Sequence, residues 1–239
     1  MKIGQYVIVG GSKGIGLGLV QRLAAEGHQV TVLSRTPGAL EELSNVTYLA
    51  FDALQDEVPV SQLPPLIHGI AYCPGSLNLR AFKSLKPEIF RADFEVNVIG
   101  VVRVMQAIMP ALKAAAQESS QPSSALLFST VAAGQGMYAH ASIAASKGAI
   151  ESLTRTLAAE LSPEIRVNCL APALTHTSLT EKFFADPDKK AALGEKYPLA
   201  RTGTVDDIAN MGAFLLLPNS SWITGQVIGV DGGMSTIRK

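Results

Sequence analysis

The sequence predicts a doubly wound α/β fold: a parallel sheet with helices packed on both faces. Three observations predict it. Short apolar runs rich in β-branched residues alternate with longer stretches of helical periodicity along the chain. The apolar runs show little polar alternation, as strands do when both faces of their sheet are covered. A glycine-rich turn, GGSKGIG at residues 10–16, joins the first apolar run to the first helical pattern.

Taken in order, Tyr6 to Val9 read as the first strand, and Gly16 to Glu26 as an amphipathic helix that stops at Gly27. Val30 to Leu33, Val46 to Phe51 and Ile67 to Tyr72 read as the next three strands. A long helical pattern then covers Phe90 to Ala116. The patch AAAQESSQPSS, residues 114–124, reads as a solvated loop. Leu126 to Phe128 is a fifth strand, Ser142 to Leu161 a helix and Val167 to Leu170 a sixth strand. Asp206 to Leu217 is a helix whose opening acids, Asp206 and Asp207, suit the positive end of its dipole. Val227 to Val230 is the last strand. The charged segment from residue 175 to 198 interrupts the alternation. It reads equally as a flap over a bound ligand or as a surface helical insertion. With no repeat and no boundary, one domain over residues 1–239 is expected.

Composition excludes several function classes. The 239 residues are 47% hydrophobic and 17% charged, ordinary globular values. Lys plus Arg and Asp plus Glu balance at 20 each, so no net charge draws the molecule to nucleic acid or to a membrane surface. Cys73 and Cys169 lie in apolar stretches with no ligand spacing, so neither a metal site nor a disulfide framework is expected. The opening MKIGQYVIVGG does not have the pattern of a signal peptide, and no apolar run approaches the roughly 18 residues of a membrane span. A cytoplasmic location is expected.

The glycine turn is where chemistry enters. Gly10 permits the tight turn, Gly14 lets backbone approach a pyrophosphate, and Gly16 lets helix and strand pack closely; Ser12 and Ile15 complete the turn. The helix start then offers unpaired N–H groups and the positive dipole end to phosphate. A dinucleotide cofactor follows. NAD-binding proteins usually carry an acid after the second strand to accept from the ribose 2′-OH. This chain has Ser34 and Arg35 there, with Lys13 in the turn, so a 2′-phosphate is favoured and NADP(H) is the expected cofactor.

These residues resemble the short-chain dehydrogenase/reductase family, and the likeness runs through nearly the whole chain. GGSKGIG is similar to its cofactor turn, and Asp52 with Ala53 to its adenine contact. FEVNVIG carries its asparagine at Asn97, and SIAASKGAI its lysine at Lys147. VNCLAPALTHT is similar to its nicotinamide-side loop, which gives Pro172, Thr175 and Thr177, and WITGQVIGVDGG to its last strand. The resemblance implies a Rossmann-like fold with a seven-stranded parallel sheet, assembly as a homotetramer or homodimer, and hydride transfer between NAD(P)H and a carbonyl or alcohol.

The departures bear on mechanism. Cys73-Pro74-Gly75 stands where the family has Asn-Ala-Gly, Val9 replaces a threonine before the first glycine, and Ala173 replaces a glycine. Ile143, four residues before Lys147, stands where the family's proton-donating tyrosine falls. Thr130 keeps a hydroxyl at the position of the family's serine. His140, seven residues before Lys147, would share the lysine's helix face if the helix began early, and an imidazole is a side chain suited to general acid work. It reads otherwise as a surface or interface histidine. Tyr138 and Ser142 do not return to that face. The expected activity is an NADP(H)-dependent oxidoreductase acting on a small carbonyl, alcohol or enoyl-type substrate, with Asn97, Thr130, Lys147 and His140 as candidate catalytic residues. The alternative is a catalytically silent NADP(H)-binding sensor or assembly protein.

Overall fold

The computed structural model describes residues 3–238, the side chains of residues 187–190 excepted. Seven strands, β1 (Gln5–Val9), β2 (Gln29–Ser34), β3 (Val46–Ala50), β4 (Gly69–Tyr72), β5 (Ser123–Phe128), β6 (Ile165–Pro172) and β7 (Val227–Val230), form one sheet in the order β3-β2-β1-β4-β5-β6-β7. Every pairing is parallel. The chain winds outward from β1 to β3 and then returns to β4 on the other side of β1. Connections therefore diverge above the carboxyl ends of β1 and β4 and leave a crevice there.

The helices are α1 (Gly14–Ala25), α2 (Pro87–Phe94), α3 (Gly100–Ser119), α4 (Val131–Gly134), α5 (Ala141–Leu161), α6 (Pro187–Gly194) and α7 (Val205–Leu216). Strand alternation sorts the core into two layers. Val7 and Val9 point to one face with Val104, Ile108 and Leu112 of α3 and Ile150 of α5. Tyr6 and Ile8 point to the other with Leu19 and Leu23 of α1 and Ile208 and Ala213 of α7. This is the doubly wound arrangement the apolar runs predict.

Three expectations change. The 114–124 patch is not a solvated loop: α3 runs to Ser119 and β5 starts at Ser123. Ser123 and Ser124 are buried because each hydroxyl finds a carbonyl, Leu112 O at 2.8 Å and Leu215 O at 2.8 Å respectively, so neither carries an unmet hydrogen bond. Segment 175–198 carries a 3₁₀ turn, Glu181–Phe183, and α6. It is thus partly helical, and its Thr177, Ser178 and Leu179 line the crevice. Third, the helix expected over Phe90 to Ala116 is divided by a π-helical turn, Glu95–Ile99, between α2 and α3. Its cause is local. The Tyr72 hydroxyl donates to Val96 O at 2.8 Å, and a Cβ at Gly100 would stand 2.1 Å from that hydroxyl. A side chain inserted into the helix ladder widens the turn, and only glycine leaves it room.

The helical run Pro87–Ser119 does contain an 18-residue window of mean hydropathy 1.5, long and apolar enough to cross a bilayer. This exceeds what the sequence reading allowed. Its Val101, Val104, Met105, Ile108 and Leu112 are packed into the core against the sheet.

Candidate dinucleotide site and active centre

A cleft of about 560 Å³ opens over the carboxyl ends of β1, β2 and β4. Its floor is the glycine turn. Gly10 has φ +73°, and a Cβ there would meet the Pro74 ring at 3.1 Å. Gly14 has φ +54° and faces Thr177, 3.5 Å from its would-be Cβ. At Gly16 a Cβ would stand 2.3 Å from Gly10 O, so strand and helix meet at backbone contact. Lys13 is the N-cap of α1, its side chain makes no cap bond, and the first turn holds no acid. With no acid in that first turn, the positive end of the helix is available to an anion, which fits a pyrophosphate.

Ser34, Arg35 and Thr36, at the end of β2 and just after it, are walls of the cleft, and so is Lys13. The buried Ser34 hydroxyl donates to Thr36 O at 2.9 Å, which turns the loop, while Arg35 stays exposed. Phe51 and Ala53 add apolar wall beside Asp52, which accepts from Leu54 N–H at 3.0 Å. Ser12, Ile15, Cys73, Pro74 and Gly75 are also walls, followed by Ser76, Asn78, Asp93 and Val96. These surfaces suit a flat base, a ribose and an anion.

Lys147 and Asn97 meet at Gly75. A Cβ on Gly75 would lie 3.4 Å from Asn97 Oδ1 and 3.7 Å from Lys147 Nζ, so both side chains aim at the point its missing side chain leaves free. Lys147 Nζ donates to Phe128 O at 2.9 Å and keeps two further protons. Burial lowers its pKa to about 8, with Cys169, Cys73 and Asp93 opposing the shift. Asn97 Nδ2 donates to Asp93 O at 2.8 Å and Ser76 Oγ at 3.0 Å. Those bonds fix which amide atom is which, and they leave the buried Asn97 Oδ1 without a partner. An acceptor and a donor converging on one space fit a ligand hydroxyl such as a ribose bears.

The other candidates are dispersed. Thr130 is the N-cap of α4, accepting from Ala132 N–H at 3.4 Å, and keeps its own proton to donate. His140 is the N-cap of α5, its Nδ1 2.7 Å from Tyr138 O. It lines a separate depression with Phe82 and Met137 whose walls include neither Lys147 nor Thr130. Pro172 ends β6, and Thr175 is buried with its hydroxyl donating to Ala173 O at 3.0 Å. Neither residue is a wall of the cleft, whereas Thr177 is. Ile143 is buried on α5, one turn before Lys147.

A family profile described as enoyl-(acyl carrier protein) reductase matches residues 9–235. L-Xylulose reductase of Bos taurus is 30% identical over 95% of this chain and 94% of its own. D-Erythrulose reductase of Gallus gallus is 31% identical over 95% and 94%. The chain belongs to the short-chain dehydrogenase/reductase family. Among solved members, a short-chain type dehydrogenase/reductase from Mycobacterium ulcerans superposes with TM-score 0.84 at 30% identity, covering 98% of this chain and 90% of the other. A gluconate 5-dehydrogenase from Burkholderia cenocepacia, solved with NADP and tartrate, superposes with TM-score 0.87 over 98% of this chain and 96% of the other at 24% identity.

Membership makes this dehydrogenase/reductase an oxidoreductase of carbonyl and alcohol groups that works with NAD(P)(H). Around its lysine lies a polar cluster that sequence spacing did not reveal. Asp93, fully buried, accepts from Ser76 Oγ at 2.5 Å, Asn78 Nδ2 at 2.7 Å and Ser142 Oγ at 2.5 Å. The only sequence signal was a pair of polar residues, Asp93 and Ser142, at positions where α2 and α5 should bury apolar ones. Helix periodicity could flag each residue, but not their contact.

Proposed function

We propose that the chain is an NADP(H)-dependent oxidoreductase of small carbonyl, alcohol or enoyl-type substrates, with an active centre that lacks the family's phenol. The observation that carries this reading is one cleft that has both Lys13 and Arg35 among its walls, together with Gly75, on which Lys147 and Asn97 converge. Ser34 leaves the end of β2 without the carboxylate that would repel a 2′-phosphate. The relatives named for reduction of L-xylulose and D-erythrulose support a carbonyl substrate, and the enoyl reductase profile supports an enoyl one.

When bound, the dinucleotide supplies or accepts hydride at its nicotinamide. The chain's own residues do the rest. The backbone of residues 10–16 holds the pyrophosphate, Lys13 and Arg35 the 2′-phosphate, and Lys147 with Asn97 the ribose beside the nicotinamide. Thr130 donates to the substrate oxygen. Ile143 stands at the family's tyrosine position and carries no proton, and His140 lines a separate depression, so solvent supplies the proton and His140 is the side chain whose replacement tests this. Cofactor binding does not depend on that step. For this reason a silent NADP(H)-binding protein is the second reading, favoured by the same Ile143. Self-association as a homodimer or homotetramer and a cytoplasmic location belong to the proposal, the first being read by light scattering.

The test is fluorescence titration with NADPH and NADH, followed by NADPH oxidation against a panel of ketones, quinones and enoyl thioesters. Arg35→Ala and Lys13→Ala should each weaken NADPH binding about tenfold or more and leave NADH unchanged, since one charged hydrogen bond is worth about 1.5–3 kcal/mol. Equal loss for both nucleotides would reject NADP(H) preference. Turnover that falls in His140→Ala and loses a pH dependence near neutrality would reject solvent and make His140 the donor. Binding without turnover, with carbonyl reduction appearing in Ile143→Tyr, assigns the silent reading, and absence of NADPH binding rejects both.

A further inference from the structure

Asp93 is a carboxylate with 0% exposure, yet it contacts no cation directly. An acid so placed is costly unless its oxygens are satisfied. Here the donors come from two separate elements: Ser76 and Asn78 from the loop after β4, and Ser142 from the first turn of α5. Its own backbone carbonyl receives Asn97 Nδ2, which also donates to Ser76 Oγ. One residue of α2 thus ties together the loop that carries Gly75, the π turn that carries Asn97 and the helix that carries Lys147.

We propose that Asp93 is a positioning residue of the active centre: through Ser76, Asn97 and Ser142 it aims Asn97 Oδ1 and the Lys147 ammonium at the space over Gly75, and it is the negative charge that balances that ammonium. The proposal rests on the reading of Lys147 and Asn97 as the ribose-holding pair.

The charge half of the proposal follows from what faces Lys147. The position just after β4 presents Cys73, β6 presents Cys169, β5 presents the Phe128 carbonyl and α2 presents Asp93, while Glu151, one turn further along α5, accepts from Ser129 Oγ at 2.7 Å. Burial lifts both thiols to about 12, so they are neutral where Lys147 titrates, about 8. Of the groups that oppose the lysine's desolvation, Asp93 alone is a carboxyl group. Removing it leaves a buried ammonium with less compensation, and its proton is then held less tightly.

The experiment is an NMR titration of 13Cε-lysine-labelled protein without nucleotide, with Lys147 assigned by the signal lost in Lys147→Met. In Asp93→Asn the Lys147 midpoint should fall by about one pH unit. In Ser142→Ala, which keeps the carboxylate, it should not fall. Were the cluster merely structural, loosening it would admit water and raise the lysine midpoint in both variants. An unchanged or raised midpoint in folded Asp93→Asn therefore overturns the proposal. Should Asp93→Asn not fold, Asp93→Ser, which removes the charge and offers a hydroxyl to the same donors, is read in the same way. If neither folds, Asp93 is assigned to the fold alone and the proposal falls. No nucleotide is present, so failure of NADPH to bind and failure of this inference are separate results.

Discussion

At the residue scale, two glycines show why spacing and environment must be read together. A Cβ on Gly16 would stand 2.3 Å from Gly10 O, with backbone on both sides and nothing able to yield. Gly16→Ala should cost about 1–3 kcal/mol. At about 2–4 °C per kcal/mol for a chain of this length, thermal denaturation should show it, together with loss of NADPH binding. Gly27 has φ +84° but nothing within 4 Å, so Gly27→Ala pays conformational strain alone and leaves the nucleotide affinity unchanged. Gly16 was legible in the sequence because its reason is local, a strand and a helix three residues from a tight turn. Asp93 was not, because its partners lie 15 to 49 residues away.

At the element scale, the π turn and the start of α7 carry separate consequences. Tyr72→Phe removes the hydroxyl that draws Val96 O out of the helix ladder, at a cost of about 1 kcal/mol for one hydrogen bond. The turn should then tighten toward α geometry and rotate Asn97. Nucleotide affinity should fall while the circular dichroism spectrum is kept, and undiminished affinity would show that the turn does not set Asn97. Helix α7 begins with a capping box in which Thr204 and Asp207 bond each other's backbone N–H. Thr204→Ala should cost about 1 kcal/mol. The hydrogen bonds from Arg201 hold the Asp207 carboxyl well below the usual carboxylate range. Because that folded-state value is depressed, the stabilisation is complete above the unfolded carboxylate's pKa and is lost as pH falls through both. Urea denaturation from pH 6 to pH 3 should show a decline that is smaller in Asp207→Asn. Asp207 is partly exposed to solvent and the contribution is correspondingly modest.

At the scale of the whole molecule, the sheet is a wall shared by two cores, and its central strands stabilise both. Leu126 of β5 is 1% exposed and packs with α7 on one face, while its neighbours Ala125 and Leu127 pack with the α3 and α5 layer on the other. Leu126→Ala should cost about 2–5 kcal/mol. A whole domain is typically stable by only about 5–15 kcal/mol, so the loss is a large fraction of the total. Loss of a single cooperative transition in calorimetry would show instead that the two layers melt separately. The crevice is also a property of the whole: it lies where strand order reverses beside β1, and no single element contains it.

The sequence by itself determined the strands, the helices after β1, before β6 and before β7, and the glycine turn. Each of these is written in periodicity or in spacing of a few residues, where chain geometry leaves one solution. Tertiary structure decided the rest. It buried Ser123 and Ser124 by offering them carbonyls, widened a helix around the Tyr72 hydroxyl, and placed His140 in a depression that Lys147 does not line. It also gathered Ser76, Asn78, Asp93, Asn97 and Ser142 into one network beside the lysine. Hydrogen bonds between distant segments depend on where the backbone has already carried them, and no local pattern along the chain encodes that.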